Sequence, residues 1–404
     1  MSYSFTDADV AYLRSDAGVE GLDVASGLTL DASSMMADVS ELRRRFAPYQ
    51  AALIEVVRAR RRAVGKLRDP GDLLLGDESL QQSTASVVAA FRAGEIAERF
   101  PGAVVHDATC SIGAELRELA GVEGIGGVVG SDIDPVRLLM AQHNCRVTPG
   151  ALRPATVLRA DALTPTSRAD VVIADPARRT GAGRIFRLDQ LMPPLPDLLA
   201  AYEGRPLVVK CAPGLDYQAL RTEMGFDSDV QVISLDRSVR EACLWVGPGM
   251  PGRRRATVLR TAADGSVTVE EINDAEPDDV AAGEPGRYII DPDGAVVRAG
   301  LVRHYAARHG LWQLDPQIAY LTGDVVPPGQ RGFEIITKVG VSDKLLRRAL
   351  AEHDCGTLEI LVRGLDVDPD ALRKRMKIKG TRSLTLVLTR IGRKGVGFLC
   401  GATP

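Results

Sequence analysis

The sequence predicts an α/β fold, a doubly wound and mostly parallel sheet that follows a helical N-terminal region. From Ala103 onwards, short β-branched runs alternate with stretches of helical spacing. The five runs are AVVHDA, GVVGSDI, ATVLRADA, ADVVIADP and RPLVVKCA. Strands buried on both faces have this composition, and their alternation with helices is typical of a parallel sheet. The next runs, DVQVISL, ACLWVG and ATVLRT, lack long helices between them. We therefore expect the sheet to end in an antiparallel edge.

The N-terminal region is predicted to be helical. Residues 1–100 contain apolar positions at helical spacing, which favours several amphipathic helices. We expect Ser40 to open one segment, which Pro48 interrupts because proline disrupts the interior of a helix. Ser83 or Thr84 is expected to cap a later helix, since both side chains can accept a backbone hydrogen bond at a helix start.

A domain boundary is predicted at residues 273–286, where the chain is rich in acids, proline and glycine. Beyond it, residues 357–391 have the pattern of a strand, a turn, a helix and a second strand, which indicates a small α+β unit. At 404 residues the chain is long enough for two or three domains. The predicted domains are 1–100, 101–272 and 287–404.

Composition indicates a globular cytoplasmic protein. Apolar residues make up 45% and charged residues 25% of the chain, and no apolar stretch is long enough for a membrane span. The N-terminus lacks the basic and apolar segments of a signal peptide. The six cysteines are scattered without a CxxC pair, so we expect neither a metal site nor disulfides. His106 and His143 are expected to be structural, and Trp245 to lie in a core.

Acidic residues stand at or near the ends of the first three predicted strands, and these ends are the candidate ligand site. In open α/β sheets ligands lie beyond the carboxyl ends of the strands. Small residues after the first strand let the backbone approach a ligand, and the following helix N-terminus favours an anionic group. The residues concerned are Asp107, Thr109, Gly113, Asp132 and Asp161. Asp132 is placed to bind a ribose and Asp161 an adenine amino group. These carboxylates could instead only cap the following helices.

The same motifs resemble those of class I S-adenosylmethionine-dependent methyltransferases. The resemblance rests on DATCSIG, SDID, RADA and ADPAR and covers residues 100–260. It implies a Rossmann-like methyltransferase sheet, with S-adenosylmethionine bound by the five residues named above. The fourth motif, IADPARR, would line the acceptor pocket with Asp175 and Arg178. SIG differs from the usual GxG of the family at Ser111.

The C-terminal unit resembles the THUMP-like domain of a bacterial branch of these enzymes. The resemblance rests on DPDGAVVRAGLV at 291–302 and on the strand–helix–strand pattern at 357–391, while QQSTASVVAAFRA is similar to the branch's helical lead-in. True THUMP domains bind RNA, so the resemblance implies an RNA acceptor, tRNA or rRNA. From Ala371 onwards there are nine cations and no acid. These cations repel one another unless a polyanion such as RNA neutralises them, which favours a nucleic-acid surface. The alternative is that they lie on a solvated surface.

Two acceptor chemistries remain open. Lys66, Asp175, Lys210 and Glu241 resemble the Lys-Asp-Lys-Glu tetrad of ribose 2′-O RNA methyltransferases, although Lys66 lies further ahead of the first motif than usual. A lysine can take a proton from a hydroxyl if burial lowers its pKa enough. Alternatively, a carboxylate at a DPP-like turn holds an exocyclic amine whose nitrogen attacks directly. DPAR lacks the second proline and the aromatic residue of that motif.

The sequence therefore predicts an S-adenosylmethionine-dependent methyltransferase that acts on RNA, at a base amine or a ribose 2′-oxygen, with Asp175, Arg178 and Lys210 at the acceptor. One alternative is a catalytically silent RNA-binding protein that retains the fold. A nucleotide-dependent oxidoreductase is a poorer alternative, because GVEGIGGVVG at 121–130 lacks the GxGxxG spacing and precedes a strand. The oligomeric state and the membership of Lys66 and Glu241 in a catalytic group stay open.

Overall fold

The protein divides into two compact units in a computed structural model. The described residues are 3–178, 191–215, 220–222 and 225–401. The first unit is Met1–Asp229 with Glu241–Gly252, and the second is Val230–Arg240 with Arg253–Pro404. The limits of the three domains that the sequence predicts stay a prediction. No helix in the described part of the chain has the length and apolar character needed to cross a membrane.

The N-terminal region is helical, as the sequence predicts. Its helices are α1 Asp7–Leu13, α2 Asp16–Gly27, α3 Met35–Phe46, α4 Gln50–Ala63, α5 Asp77–Gln82 and α6 Ser86–Arg99. A capping box begins α1, since Thr6 Oγ1 accepts from the Asp9 amide at 3.2 Å and the Asp9 carboxylate accepts from the Thr6 amide at 2.8 Å. Pro48 lies between α3 and α4, where the interruption is predicted.

Two predicted helix starts are wrong. Ser40 lies inside α3, where its hydroxyl donates to the Met36 carbonyl four residues earlier instead of capping a helix. Helix α6 begins at Ser86 after Ala85, which has no side-chain cap, and the Ser83 hydroxyl donates to the Leu80 carbonyl. In both places a serine bonds backward to an existing turn, a choice that the local sequence does not reveal.

A doubly wound sheet forms the centre of the first unit. The strands up to residue 273 are β1 Val104–Asp107, β2 Gly127–Asp132, β3 Ala155–Arg159, β4 Val171–Ala174, β5 Ala177–Arg178, β6 Leu191–Met192, β7 Leu207–Cys211, β8 Asp229–Leu235, β9 Ser238–Val246, β10 Arg254–Thr261 and β11 Val267–Asn273. In the first unit the order is β9-β7-β4-β1-β2-β3, parallel except for β9, which pairs antiparallel with β7. The predicted parallel sheet with an antiparallel edge is confirmed.

Helices cover this sheet because its strands are apolar on both faces. They include α7 Ala114–Gly121, α8 Pro135–Val147 and α9 Leu195–Ala201. All four residues of β4 and all five of β7 are buried. Trp245 on β9 is fully buried, which confirms its predicted core position, and the Arg99 guanidinium lies 4.8 Å from its ring centroid.

The second unit contains the predicted α+β part and further elements that the sequence analysis missed. In this unit β8, β10 and β11 are adjacent, and β10 and β11 pair antiparallel as a hairpin. The remaining elements are β12 Tyr288–Asp291, α10 Gly294–Arg298, α11 Val302–His309, β13 Trp312–Gln313, β14 Leu321–Gly323, β15 Arg331–Val339, α12 Asp343–Glu352, β16 Cys355–Arg363, α13 Pro369–Met376, β17 Arg382–Ile391 and β18 Lys394–Gly401. Their sheet has the order β13-β14-β12-β15-β18-β17-β16. β16, α13 and β17 form the predicted strand–helix–strand, with parallel strands.

The N-terminal helices are fastened to the sheet domain through Asn144 of α8. This buried side chain accepts from the Leu74 amide at 2.7 Å and donates to the carbonyls of Leu74 and Ile112 at 3.0 and 2.9 Å. Buried backbone groups need such partners. One amide thus joins the segment before α5, the loop before α7 and helix α8.

Asn144→Ala is therefore expected to lower the free energy of unfolding by about 2–4 kcal/mol, because it leaves several buried backbone groups without a partner. Urea denaturation followed by circular dichroism measures this change. Gln142→Ala on the exposed side of the same helix is the control and should change stability by less than about 0.5 kcal/mol. Equal midpoints for Asn144→Ala and the wild type would contradict the role given to this side chain.

Candidate cofactor and active site

The last residue of β1, Asp107, has a buried side-chain carboxyl group. Asp107 is almost fully buried and accepts a hydrogen bond from the Thr109 amide at 3.0 Å. Burial raises the pKa of Asp107 to about 7, and the nearby Lys210 ammonium offsets only part of that rise. Asp107 is therefore protonated for much of the time at neutral pH.

The loop from Cys110 to Gly113 has the shape that a glycine-rich loop would have. Ser111 adopts a φ of +48° and Gly113 a φ of +80°, both in the left-handed region. That region is costly for residues other than glycine. The Ser111 amide donates to Asp132 Oδ2 at 2.9 Å, which holds the loop in this conformation. Serine in place of the usual glycine therefore does not prevent the turn into α7.

Asp132 and Asp161 line the same edge of the sheet. Asp132 accepts from the amides of Ser111 and Asp134, each at 2.9 Å, and lies at the end of β2. Asp134, the next acid along, is the residue that caps α8. Asp161 lies two residues after β3, where its exposed carboxylate accepts from the Leu163 amide at 2.9 Å. The alternative that these acids only cap the following helices is therefore wrong for both.

Gly113 serves the packing of the loop. A Cβ at this position would lie 3.2 Å from Ala141 Cβ and 3.3 Å from Ala141 Cα on α8, which is tighter than ordinary contact. Its positive φ adds a second reason for glycine here. Glycine at this position thus allows the loop to approach α8 closely.

Asp175 and Lys210 meet at the ends of neighbouring strands. Asp175 directly follows β4, and Lys210 Nζ on β7 lies 2.5 Å from its Oδ2. The Asp175 amide donates to Thr109 Oγ1 at 2.6 Å. Thr109, predicted to bind the cofactor, therefore uses its hydroxyl to join the loop after β1 to the turn after β4.

Behind this pair lies a buried ionic cluster that the sequence analysis largely missed. Lys210 Nζ is also 3.6 Å from Glu115 Oε2 on α7, and Glu115 pairs with Arg92 of α6, which is fully buried. Arg92 pairs in turn with Glu241 of β9. A signal for Arg92 was present, since it stands four residues from both Val88 and Ile96 on the buried stripe of α6. Glu241 was predicted only as a possible member of a tetrad.

Two other predicted residues do not join this cluster in the described contacts. Lys66 Nζ donates to the carbonyls of Leu80 and Gln81 at 2.5 and 3.1 Å, at the end of α5. The backbone of Arg178 belongs to β5, but its side chain lies outside the described part of the chain. The hydrogen-bond contacts of Lys66 therefore do not support a four-residue tetrad.

His106 is buried beneath the site and is neutral. Its Nε2 lies 2.9 Å from Ser131 Oγ, and its Nδ1 lies 2.8 Å from Ser167 Oγ. Burial, assisted by Arg205, lowers the pKa of His106 to about 4. Both ring nitrogens are thus occupied by serine hydroxyls, which fits the structural role expected for this residue.

Comparison with known proteins identifies the family. The chain is 50% identical, over 363 residues, to uncharacterized S-adenosylmethionine-dependent methyltransferases from two strains of Mycobacterium tuberculosis, CDC 1551 and H37Rv. The match covers 87% of this chain and 96% of each relative. The chain belongs to the S-adenosylmethionine-dependent methyltransferases. A family model described as THUMP domain-like matches residues 330–402 of the methyltransferase, and a domain of unknown function (DUF8688) matches residues 7–63.

A crystal structure of a proposed methyltransferase from Porphyromonas gingivalis W83 has the same fold as this methyltransferase. It superposes with a TM-score of 0.75 at 19% identity and covers 100% of both chains. At that identity the likeness concerns the fold alone. This fold confirms the predicted sheet and helical N-terminus, and the family model at residues 330–402 confirms the predicted THUMP-like part.

The charges at the site suit a cationic cofactor. In S-adenosylmethionine the methyl group is carried on a positively charged sulfonium. The ion-pair network formed by the Asp175–Lys210 pair and the buried cluster behind it contains three carboxylates, Asp175, Glu115 and Glu241, against the two cations Arg92 and Lys210. It therefore has an excess of one negative charge, and Asp107 adds another when it ionises. Low-dielectric surroundings strengthen the attraction between such groups and a sulfonium.

Because burial raises the pKa of Asp107 to about 7, we expect the affinity for S-adenosylmethionine to depend on pH. Below about pH 7 the free methyltransferase must lose a proton from Asp107 before the carboxylate can attract the cofactor. The dissociation constant of S-adenosylmethionine should therefore fall with rising pH, by up to about tenfold per unit below pH 7, and level off above it. Calorimetry across this range measures the effect. Asp107→Asn should bind more weakly and without this dependence, and a flat wild-type profile would remove Asp107 from the cofactor site.

Proposed function

We propose that this methyltransferase methylates an amino nitrogen of a base in RNA. The cofactor would be held by the loop after β1 and by the acids at the strand ends, and the acceptor by the turn after β4. The cofactor residues are Asp107, Thr109, Gly113, Asp132 and Asp161. The acceptor residues are Asp175, with Lys210 behind it, and Arg178, which follows in the same turn.

The state of Lys210 supports an amine acceptor over a ribose hydroxyl. Burial alone would lower the pKa of Lys210, but the carboxylates of Asp175 and Glu115 outweigh burial and raise it above its ordinary value. An ammonium held in this way does not take a proton from a hydroxyl. An amine needs no such base, because its nitrogen lone pair attacks the methyl group directly.

The residues of the turn then have distinct tasks in transfer. S-adenosylmethionine would supply an electrophilic methyl group: the N–C bond would form as the sulfonium S–C bond breaks, S-adenosylhomocysteine would leave, and the methylated nitrogen would lose one proton to solvent. The Asp175 carboxylate accepts a hydrogen bond from the acceptor amine and directs its lone pair towards the cofactor. Lys210 donates to the same carboxylate at 2.5 Å and so fixes its orientation. Such positioning can supply a large part of a rate enhancement.

The surface of the second unit supports an RNA acceptor. Of the nine cations after Ala371, six are exposed and make no ion pair with a described residue: Lys374, Lys377, Lys379, Arg382, Arg393 and Lys394. The other three, Arg373, Arg375 and Arg390, pair with Asp370, Asp343 and Asp315. Uncompensated cations on a folded surface favour contact with phosphates.

Four of these cations lie on or beside a firmly held loop between α13 and β17. We define the basic patch as Lys374 in the last turn of α13, Lys377 and Lys379 in the loop, and Arg382 at the first position of β17. The Asp354 carbonyl accepts from the Thr381 and Arg382 amides at 3.0 and 2.9 Å, and the Asp354 carboxylate accepts from the Thr381 hydroxyl at 2.5 Å. The loop is thereby pre-organised, which lowers the entropic cost of binding a phosphate backbone.

Asp175→Ala tests the acceptor site. It should abolish methyl transfer to RNA while the dissociation constant of S-adenosylmethionine stays within about threefold, because the carboxylate faces the acceptor. Transfer is measured with labelled cofactor and RNA from a strain lacking the enzyme, and mass spectrometry of the nucleosides identifies the product. Retained turnover at saturating RNA would contradict the assignment.

The pH dependence of the same reaction separates the two chemistries. With a lysine base, the transfer rate should rise about tenfold per pH unit above neutrality, since the neutral amine becomes more abundant. With Lys210 fixed as a cation beside Asp175, the rate should be nearly constant from about pH 7 to 9. A steep rise, or a 2′-O-methylated product, would overturn the amine proposal.

Replacing the four residues of the basic patch with glutamine should weaken RNA binding and flatten its salt dependence. Each phosphate contact on a single strand contributes about −0.7 to the slope of log affinity against log salt, so the slope should fall in magnitude by up to about 3. The control is Arg373→Gln with Arg375→Gln, which removes neighbouring cations that are already paired. Parallel salt titrations of equal affinity for wild type and patch variant would mean that the patch is only a solvated surface.

A further inference from the structure

A chain of ion pairs leads from the interior of the first unit to the acceptor turn. Side-chain exposure rises along it from 0% for Arg92 through 4% for Glu115 and 9% for Lys210 to 39% for Asp175. The four residues come from α6, α7, β7 and the turn after β4. Lys210 thus pairs with Glu115 at the more buried end of this chain and with Asp175 at its more exposed end.

Stability alone does not explain this arrangement. The free energy lost when two charges are removed from water is about as large as the attraction gained between them. Proteins in which a buried ion pair is replaced with apolar residues of similar size are often equally stable. Lys210 also needs more than one anchor, because its four-carbon stem is flexible. With Asp175 as sole partner, the ammonium and the half-exposed carboxylate could move together. A second carboxylate on a rigid helix restricts the ammonium to one place.

We propose that Glu115 is a positioning residue for methyl transfer: it holds the Lys210 ammonium against Asp175, and Arg92 holds Glu115. The inference rests on the acceptor role proposed for Asp175. Glu115 does not touch the acceptor and acts only through Lys210. Arg92 fixes the Glu115 carboxylate from the other side and is itself held by Glu241.

Groups on several elements contribute to the electrostatic surroundings of Lys210. Asp175 and Glu115 stabilise the ammonium, Asp107 of β1 lies near enough to interact with it, and Arg92 and the Cys243 thiol group of β9 also act on it. Removing the charge of Glu115 leaves Asp175 as the main stabilising partner. The pKa of Lys210 should then fall, because desolvation is opposed by one carboxylate fewer.

The test compares Glu115→Gln with a matched control on the same helix. Glu118 is equally buried, one turn further along α7, and pairs with the exposed Arg68 at 3.3 Å outside the cluster. Glu118→Gln should therefore reproduce any general loosening of α7 without affecting Lys210. Glu115→Asp keeps the negative charge but moves the carboxylate away from Lys210, because the side chain is one methylene shorter. It is the replacement variant if Glu115→Gln does not fold.

The first measurement is the titration of the Lys210 ammonium by NMR of the lysine Nζ groups in the full-length protein. The chain contains eight lysines, of which Lys210 alone is buried, and Lys210→Met identifies its signal. We expect Glu115→Gln to lower the pKa of Lys210 by about one unit or more, Glu115→Asp to lower it less, and Glu118→Gln to leave it unchanged. An unchanged titration in Glu115→Gln, or an equal shift in Glu118→Gln, would overturn the proposal.

The second measurement is methyl transfer to RNA by the same variants. Glu115→Gln should lower kcat about tenfold to hundredfold, with the dissociation constant of S-adenosylmethionine within threefold, and Glu115→Asp should recover part of the loss. Wild-type kcat in Glu115→Gln would overturn the proposal. If the wild-type enzyme itself transfers nothing to RNA, the RNA acceptor is wrong, and the titration of Lys210 alone then decides whether Glu115 holds it.

Discussion

The burial of the Lys210 ammonium is the constraint on which the rest of the site depends. A charge removed from water needs opposite charges close by, and Lys210 finds them in Asp175 and Glu115. Glu115 is more deeply buried and requires Arg92, and Arg92 is held in turn by Glu241. Each partner creates the need for the next, so two helices, two strands and a turn are joined through side chains. The turn after β4 is thus placed by electrostatics as well as by the backbone.

The sequence was sufficient to predict the sheet, but it was not sufficient to predict the buried residues of the site. Runs such as ADVVIADP are apolar on both faces, which predicts buried strands. The acids that follow these runs lie at the carboxyl ends of the strands, where ligands bind, and this position does not depend on how the helices pack. Asp175 and Lys210 could each be predicted because they end or nearly end such runs. Glu115 could not, because a glutamate in the first turn of a helix is usually a solvated residue that favours the helix dipole. Whether such a charge is buried depends on what packs against the helix.

The loop at Ser111 shows a different limit of prediction. The sequence shows that Ser111 replaces the first glycine of the family's GxG motif, which weakens the match to that motif. Its consequence depends on whether a serine can be held at a φ of +48°, and that is decided by the Asp132 carboxylate, 21 residues away in the chain. The same carboxylate also accepts from the Asp134 amide. Asp132 therefore shapes the loop before any ligand arrives, and a change there would remove two backbone hydrogen bonds that hold this end of the sheet.

Charge along the chain is not the same as charge on a surface. The nine cations after Ala371 look like one basic block, but three are paired with acids from elsewhere in the fold. The rest separate to opposite ends of β17, with the basic patch at its start and Arg393 and Lys394 beyond its end. At about 3.3 Å per residue, the ten residues of this strand hold the two groups roughly 30 Å apart. That distance far exceeds the screening length of about 8 Å at physiological salt, so the groups act independently. The basic patch therefore presents four cations, and not nine, to a polyanion that contacts it.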